Sequence, residues 1–100
     1  MSTVSIKLGT SKKRKNLNQI LENALDRENR LLLIALKKTE EKLKLFEKQY
    51  NISSDEFFKR YQNGKTDDRN DYIDWAGEYH IYQSIKEKVE ALEELTIEYN

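Results

Sequence analysis

The order of apolar and polar side chains divides the chain into one strand-like segment and three helical segments. Residues 3–8 alternate strictly between polar and apolar side chains, which is the two-residue period of a strand. From about residue 16 apolar side chains recur every three or four residues up to Tyr50, the spacing of one helix face. This spacing predicts an uninterrupted helix over residues 16–50 with Asn16 as its N-cap, because the four consecutive basic residues at 12–15 are expected to resist helix nucleation.

Two further helices are predicted after Tyr50. Ser53 and Glu56 have the spacing of a capping box, with Ile52 and Phe57 around them as a hydrophobic staple. They predict a short helix over residues 54–63, which Gly64 ends in the left-handed conformation. After an acidic linker, apolar side chains at steps of three and four predict a last helix over residues 71–98.

The predicted fold is all-α: an elongated antiparallel helical hairpin with the short helix at its turn. The basic N-terminal arm, residues 1–15, is a short strand over 3–8 or is disordered, and residues 16–100 form one helical domain. A helix over 16–50 would be about 52 Å long, against a radius of gyration of about 13 Å for a compact chain of this size. The segment Leu31–Leu36 is apolar all round the helix, so two long helices leave apolar surface uncovered and a homodimer is expected.

Composition argues against an enzyme. The 100 residues include no cysteine, no proline, one histidine (His80) and three glycines, which excludes disulfides, thiol nucleophiles, paired-histidine zinc sites and most phosphate-binding loops. The acidic group at residues 67–74 lacks the alternating ligands of a calcium loop. No catalytic residue, cofactor or metal is therefore predicted. The longest apolar run has six residues and the N-terminus has no secretion signal, so we expect no membrane segment and a cytoplasmic location.

Charge and aromatic side chains are unevenly distributed. The 18 basic and 18 acidic residues cancel, yet residues 1–50 carry +6 and residues 51–100 carry −6. Eight of the ten aromatic residues lie between Tyr50 and Tyr82, among acidic side chains. Some must form a core, while tyrosine and tryptophan beyond that need are typical of protein interfaces. The candidate partner-binding residues are Phe58, Tyr61, Asp68, Asp71, Tyr72, Trp75, Tyr79 and Tyr82.

The N-terminal arm has the pattern of the DNA-reading strand of ribbon-helix-helix repressors. In that hypothesis the polar face of the strand contacts base edges and the basic block contacts phosphates. The candidate nucleic-acid-binding residues are Thr3, Ser5, Lys7, Lys12, Lys13, Arg14 and Lys15. That fold needs two short helices separated by a turn, whereas no turn signal appears between Leu17 and Tyr50. The alternative is a flexible basic tail.

The segment from about Thr39 to residue 98 resembles a known family. It contains Phe46–Tyr50 at the end of a charged helix, an aromatic short helix ending at Gly64, and acidic residues followed by Tyr72 and Trp75. This pattern is similar to small all-helical antitoxins of prokaryotic toxin-antitoxin loci. Residues 1–15 lie outside it. The resemblance implies a non-enzymatic protein that binds a cognate toxin, often a basic enzyme acting on nucleic acid, and blocks its active or substrate-binding surface.

The sequence therefore leaves three functions open. The first is an antitoxin-like protein that binds a toxin through an acidic aromatic helical surface. The second is a DNA-binding autorepressor that contacts operator DNA through the N-terminal strand and basic block. The third is a structural coiled-coil adaptor.

Overall fold

Three helices and two short strands make up the described chain, which comprises the backbone of residues 3–6 and 11–99 and the side chains of residues 12–95 in a computed structural model. In chain order they are β1 (Thr3–Ile6), α1 (Ser11–Tyr50), α2 (Ser54–Gln62), α3 (Asn70–Glu93) and β2 (Thr96–Tyr99). The fold is predominantly helical, as predicted, with a short helix between two long ones.

Helix α1 begins at Ser11, so the predicted start at Asn16 is wrong. Lysine and arginine are good helix formers, and like charges one or two positions apart on a helix do not face each other. A like-charged pair one turn apart costs only about 0.2–0.5 kcal/mol. The basic block at residues 12–15 is therefore part of the helix.

Helix α3 ends at Glu93, so the predicted helix over residues 71–98 is wrong at its C-terminal end. No basic side chain lies in its last turn to interact favourably with the negative end of the helix dipole. The residues that follow, Thr-Ile-Glu-Tyr at 96–99, are mostly β-branched or aromatic and form β2. The three-and-four spacing of apolar residues continues through this segment and therefore predicts a helix there.

The two strands pair with each other in parallel. Thr3 lies opposite Thr96 and Ile6 opposite Tyr99. The strand predicted over residues 3–8 is thus described over Thr3–Ile6, and its remaining two residues lie outside the described part of the chain.

Internal contacts divide the chain into two compact units. Unit 1 comprises Met1–Ile34 and Glu87–Asn100, and unit 2 comprises Ala35–Lys86. The boundaries between the two units fall inside α1 and inside α3. The sequence predicts one helical domain over residues 16–100. Unit 1 contains eight basic and eight acidic residues and unit 2 contains ten of each, so the charge asymmetry between the sequence halves cancels within each unit.

In unit 2 the end of α1 and the start of α3 pack side by side in opposite directions. Lys42 Nζ lies 3.4 Å from Glu78 Oε1, and Phe46 stacks on Trp75. At the far end Tyr50 contacts Tyr72, so residue numbers fall along α1 as they rise along α3. This arrangement is consistent with the predicted hairpin.

Helix α2 begins at Ser54, as predicted, and ends at Gln62, one residue before the predicted end. The Ser53 hydroxyl accepts a hydrogen bond from the Glu56 N–H at 3.1 Å. At the other end Gly64 adopts a φ of 67°, and the Lys65 and Gly64 N–H groups bond the carbonyls of Arg60 and Tyr61. That pair of bonds is the Schellman arrangement that a left-handed glycine allows.

Unit 1 contains the strand pair and the opposite ends of the two long helices. Among the described apolar side chains of unit 1, Val89 of α3 is the buried one. A cleft of about 300 Å³ in unit 1 is lined by Leu32 of α1, by Leu92 of α3 and by Leu95, which follows α3, among other residues. Among the described helices, none combines the length and the apolar character that a membrane-spanning segment requires.

Candidate protein-binding surface

The centre of unit 2 is the fully buried side chain of Trp75, whose exposed fraction is 0%. The ring of Phe57 stacks on it in parallel, with centroids 3.9 Å apart, and the ring of Phe46 lies at 5.5 Å. Tyr50 stacks on the same indole at 5.7 Å. One side chain from α3 is thus enclosed by aromatic rings from α1 and α2, which fixes the corner where the three helices meet.

Hydrogen bonds satisfy the polar groups of this core. The Trp75 indole N–H donates to Ser54 Oγ at 2.9 Å. The backbone N–H of Ser54 lies in the first turn of α2, where no carbonyl of the same helix can accept it, and it donates to Glu47 Oε2 at 2.8 Å. Ser54 is itself 3% exposed, so its position at the start of α2 is determined by a residue of α1 and a residue of α3.

Two of the predicted partner-binding residues belong to this core. Trp75 is fully buried and Tyr79 is buried against Phe58, with its hydroxyl donating to Asp55 Oδ1 at 3.2 Å. Burial, followed by the Asp55 carboxylate, raises the pKa of Tyr79 above its usual 10.0. Trp75 therefore has no exposed surface to offer a partner, whereas Tyr79 also lines an open cleft and its contact with a partner stays a prediction.

Asp71 is used internally as well. The Tyr50 hydroxyl donates to Asp71 Oδ2 at 2.5 Å, and the Gln49 amide donates to the same oxygen at 3.3 Å. The hydrogen bond from the Tyr50 hydroxyl to the Asp71 carboxylate raises the pKa of Tyr50, because ionisation of the tyrosine would place two negative charges together. Asp71 thus joins the end of α1 to the start of α3.

The acidic linker is ordered by one arginine. The Arg69 guanidinium donates to both carboxylate oxygens of Asp67, at 2.9 and 2.7 Å, and lies 4.5 Å from the centre of the Tyr72 ring. These hydrogen bonds lower the pKa of Asp67 from 3.8 to about 2. This exposed local pair lies directly before the first residue of α3.

The other predicted residues remain accessible. Phe58, Tyr61, Tyr72 and Tyr82 are half-buried at the edge of the aromatic cluster, and Asp68 is exposed. An open cleft of about 270 Å³ lies at this corner, lined by residues that include Tyr50, Phe57, Arg60 and Tyr72. These five predicted residues are accessible, and their contact with a partner stays a prediction.

A further exposed surface on α3 was missed by the sequence reading. Ile73 and Ile81 are 48% and 47% exposed, and Gly77 lies midway between them at the four-residue spacing of one helix face. A side chain built at Gly77 would meet no atom within 4 Å, so this position opens to solvent. Asp74 is exposed beside the same row. We call Ile73, Asp74, Gly77 and Ile81 the α3 outer face.

The signal for the α3 outer face is present in the sequence. Trp75 marks the buried side of α3, and Gly77 follows two residues later, which on a helix is about 200° away. Isoleucines at positions 73 and 81 therefore lie opposite the aromatic stripe. The aromatic stripe is the stronger pattern in this helix, so the sequence analysis does not predict these isoleucines as a surface.

Of the predicted nucleic-acid-binding residues, the structure describes the side chains of the basic block at 12–15. Thr3 and Ser5 belong to β1, where only the backbone is described, and Lys7 lies outside the described residues. Lys12, Lys13 and Lys15 are exposed and Arg14 is half-buried, and consecutive helix positions point in directions about 100° apart. The strand also pairs in parallel within one chain, whereas the ribbon-helix-helix hypothesis needs a strand from a second copy.

Within the described residues there is no group of three or more histidine, cysteine, aspartate or glutamate side chains that could hold a metal ion. Comparison with protein-family models, curated protein sequences and solved structures finds no match to this chain.

Proposed function

We propose that this protein is a non-enzymatic binding protein of the antitoxin type, which holds a basic protein partner against unit 2 and blocks that partner's working surface. The observation that carries the proposal is the α3 outer face: two isoleucines, nearly half exposed, on either side of an open glycine. Isolated exposed apolar residues are ordinary on protein surfaces, but a row of them around a gap is a shape that a partner side chain can fill.

The charges near this face favour a basic partner. Asp71, Asp67 and Glu78 are bonded within unit 2, to Tyr50, Arg69 and Lys42. Asp68 and Asp74 are exposed, and no hydrogen bond or ion pair is described for either. Asp74 lies beside the apolar row and Asp68 lies in the linker before α3. Exposed carboxylates near an apolar row are complementary to an apolar protein surface bordered by lysine or arginine, which gives specificity and a faster association rate.

The buried aromatic corner supports this use by keeping the surface rigid. Trp75 is enclosed by rings from two other helices and hydrogen-bonded through Ser54, so the opposite side of α3 presents its residues in one arrangement. A preorganised surface loses less conformational entropy on binding than a flexible one. The family resemblance of residues 39–98 adds the expectation that the partner is a toxin acting on nucleic acid.

Co-expression with the product of the adjacent open reading frame tests the proposal. We expect the two proteins to co-purify and the adjacent product to lose its toxicity when this chain is present. The Ile81→Arg variant should weaken the complex at least tenfold, which corresponds to about 1.4 kcal/mol. Absence of a complex together with unrelieved toxicity would refute the proposal.

A matched variant separates a specific effect from a general one. Leu45 of α1 is in the same unit and is 70% exposed, but it is not on α3. The Leu45→Arg variant should bind the partner as the wild type does. Equal weakening by Leu45→Arg and Ile81→Arg would place the binding surface elsewhere.

A further inference from the structure

The part of α1 in unit 1 has a second apolar face that is not covered by the chain itself. Leu17, Ile20, Leu31 and Ile34 are 43%, 60%, 57% and 55% exposed. With Ala24 and Arg27, both exposed, they occupy positions 17, 20, 24, 27, 31 and 34. Steps of alternately three and four residues are the spacing of a coiled-coil seam. We call these six residues the α1 seam.

The α1 seam is distinct from the face that α1 turns towards its own core. Leu21, Leu25 and Leu32 are less exposed than the seam residues, and Leu25 and Leu32 line clefts with residues of α3. Each lies one position away from a seam residue, which on a helix is a rotation of about 100°. The helix therefore carries one apolar stripe for its own chain and another that faces solvent.

The α1 seam carries a pair of large aliphatic residues at each of its two ends. Two large aliphatic residues, Leu17 and Ile20, are followed by Ala24 and Arg27 and then by two more large aliphatic residues, Leu31 and Ile34. A two-fold interface requires one patch that is complementary to itself. Antiparallel pairing about the point between residues 25 and 26 would place Leu17 opposite Ile34 of the second copy and Ile20 opposite Leu31.

Charge favours this direction over the parallel one, because antiparallel pairing offsets the two Arg27 residues by three positions, about 4.5 Å, along the helix axis. Parallel pairing would bring Arg27 against Arg27 of the second copy in the middle of the seam, which is repulsive. Antiparallel pairing would place Arg27 opposite Ala24, whose small side chain leaves room for the arginine stem. Glu28 of the second copy would then lie about one helical turn from the Arg27 guanidinium, close enough to favour its charge.

We propose that the occupant of the α1 seam is a second copy of this chain, bound antiparallel along residues 17–34. The seam spans about 27 Å of helix, so the interface is at the small end of specific interfaces. The dimer should therefore be reversible and concentration-dependent. This proposal does not depend on the proposed function, because its residues belong to unit 1 and those of the α3 outer face belong to unit 2.

Sedimentation of the full chain tests the association. Over concentrations from about 1 μM to about 1 mM, the range in which weak interfaces dissociate, the mass should rise from 12.0 kDa towards twice that value. Leu31→Glu should raise the dimer dissociation constant at least tenfold. Leu33→Glu is the matched control, because Leu33 is 45% exposed on the same helix and outside the seam. A chain that stays monomeric throughout, or equal effects of the two variants, would overturn the proposal.

Cross-linking tests the direction, and the absence of cysteine in the chain makes it clean. Ile20→Cys and Leu31→Cys, treated separately with a short bifunctional thiol reagent, should remain uncoupled, because 11 residues of helix, about 16 Å, would separate identical positions. The mixed variants should couple to each other. Self-coupling of either variant alone, or the absence of coupling in the mixture of the two, would overturn the antiparallel register.

Discussion

The indole N–H of Trp75 donates a hydrogen bond to the Ser54 hydroxyl at 2.9 Å, and both side chains are almost completely buried. Ser54 is the first residue of α2, and its own backbone N–H is bonded to Glu47 of α1. One small polar residue thus connects all three helices at the corner of unit 2. This connection is what orients α3 and directs its outer face towards solvent.

Ser54→Ala should destabilise the protein. The substitution removes the acceptor and leaves the buried indole N–H without a partner, which costs about 1–3 kcal/mol. Urea unfolding followed by circular dichroism measures the loss. Ser84→Ala is the control, since Ser84 lies inside α3 with no described hydrogen bond, and there alanine should be neutral or slightly stabilising. A Ser54→Ala variant as stable as wild type would contradict the role of this bond.

Alanine at the two described glycines should have opposite effects. Gly77 lies inside α3 in open space, so Gly77→Ala should stabilise the protein by about 0.5–1 kcal/mol through helix propensity. Gly64 has a φ of 67°, where a side chain is strained, so Gly64→Ala should destabilise it by about 1 kcal/mol. Thermal and urea unfolding of both variants check the signs. A shift in the same direction would mean that the backbone at one of the two differs from that described.

Most of the helical fold could be predicted because its signals are local. Ser53 and Gly64 bound α2 through hydrogen bonds within a few residues of themselves, and both were identified from spacing alone. The two errors concern helix ends where no such signal exists. The basic residues before residue 16 continue α1 instead of stopping it, and the β-branched and aromatic residues at 96–99 form β2 because a strand from the other end of the sequence is available for pairing.

The candidate surface was harder to predict because it depends on which side of α3 is buried. Composition places aromatic residues at this end, but only packing determines that Trp75 and Tyr79 are enclosed while Phe58 and Tyr82 remain half-exposed. The aromatic cluster that suggested an interface is mainly the internal core of unit 2. Ile73 and Ile81 then become the accessible apolar residues of α3.

Asp67 should titrate at unusually low pH. Hydrogen bonds from Arg69 lower the pKa of Asp67 to about 2, so its contribution to stability is complete above its ordinary pKa of 3.8 and is lost as the pH falls through 2. Carboxyl carbon shifts measured by NMR locate the midpoint. Arg69→Gln should move it back towards 3.8, whereas Lys65→Gln, which removes a nearby charge outside this pair, should leave it in place. An unchanged midpoint in Arg69→Gln would contradict the assignment.

Tyr50 and Tyr79 should ionise late in an alkaline titration. The bond to Asp71 raises the pKa of Tyr50, and burial raises the pKa of Tyr79. Because these values lie above that of the unfolded chain, the stability they contribute is present below pH 10 and is lost as the pH rises beyond it. The ultraviolet absorbance of tyrosinate should show a late phase, which shrinks in Tyr50→Phe and in Tyr79→Phe. A late phase of full size in both variants would contradict the assignment.

Partner binding and self-association should respond to different substitutions. Ile81→Arg changes the α3 outer face in unit 2, and Leu31→Glu changes the α1 seam in unit 1, so no residue is shared between the two surfaces. Both side chains are about half exposed, so neither substitution opens a cavity in the core. Effects at sites with no shared partners usually add within about 0.3–0.5 kcal/mol.

We therefore expect Ile81→Arg to dimerise as the wild type does while losing partner affinity, and Leu31→Glu to bind the partner as the wild type does while remaining monomeric. Sedimentation of the isolated variants and titration calorimetry of each with the adjacent gene product would measure the two properties separately. The double variant should show both defects with no excess. If Leu31→Glu also weakened partner binding more than twofold, dimerisation would be a requirement for binding, and the two surfaces would have to be assigned to a single function.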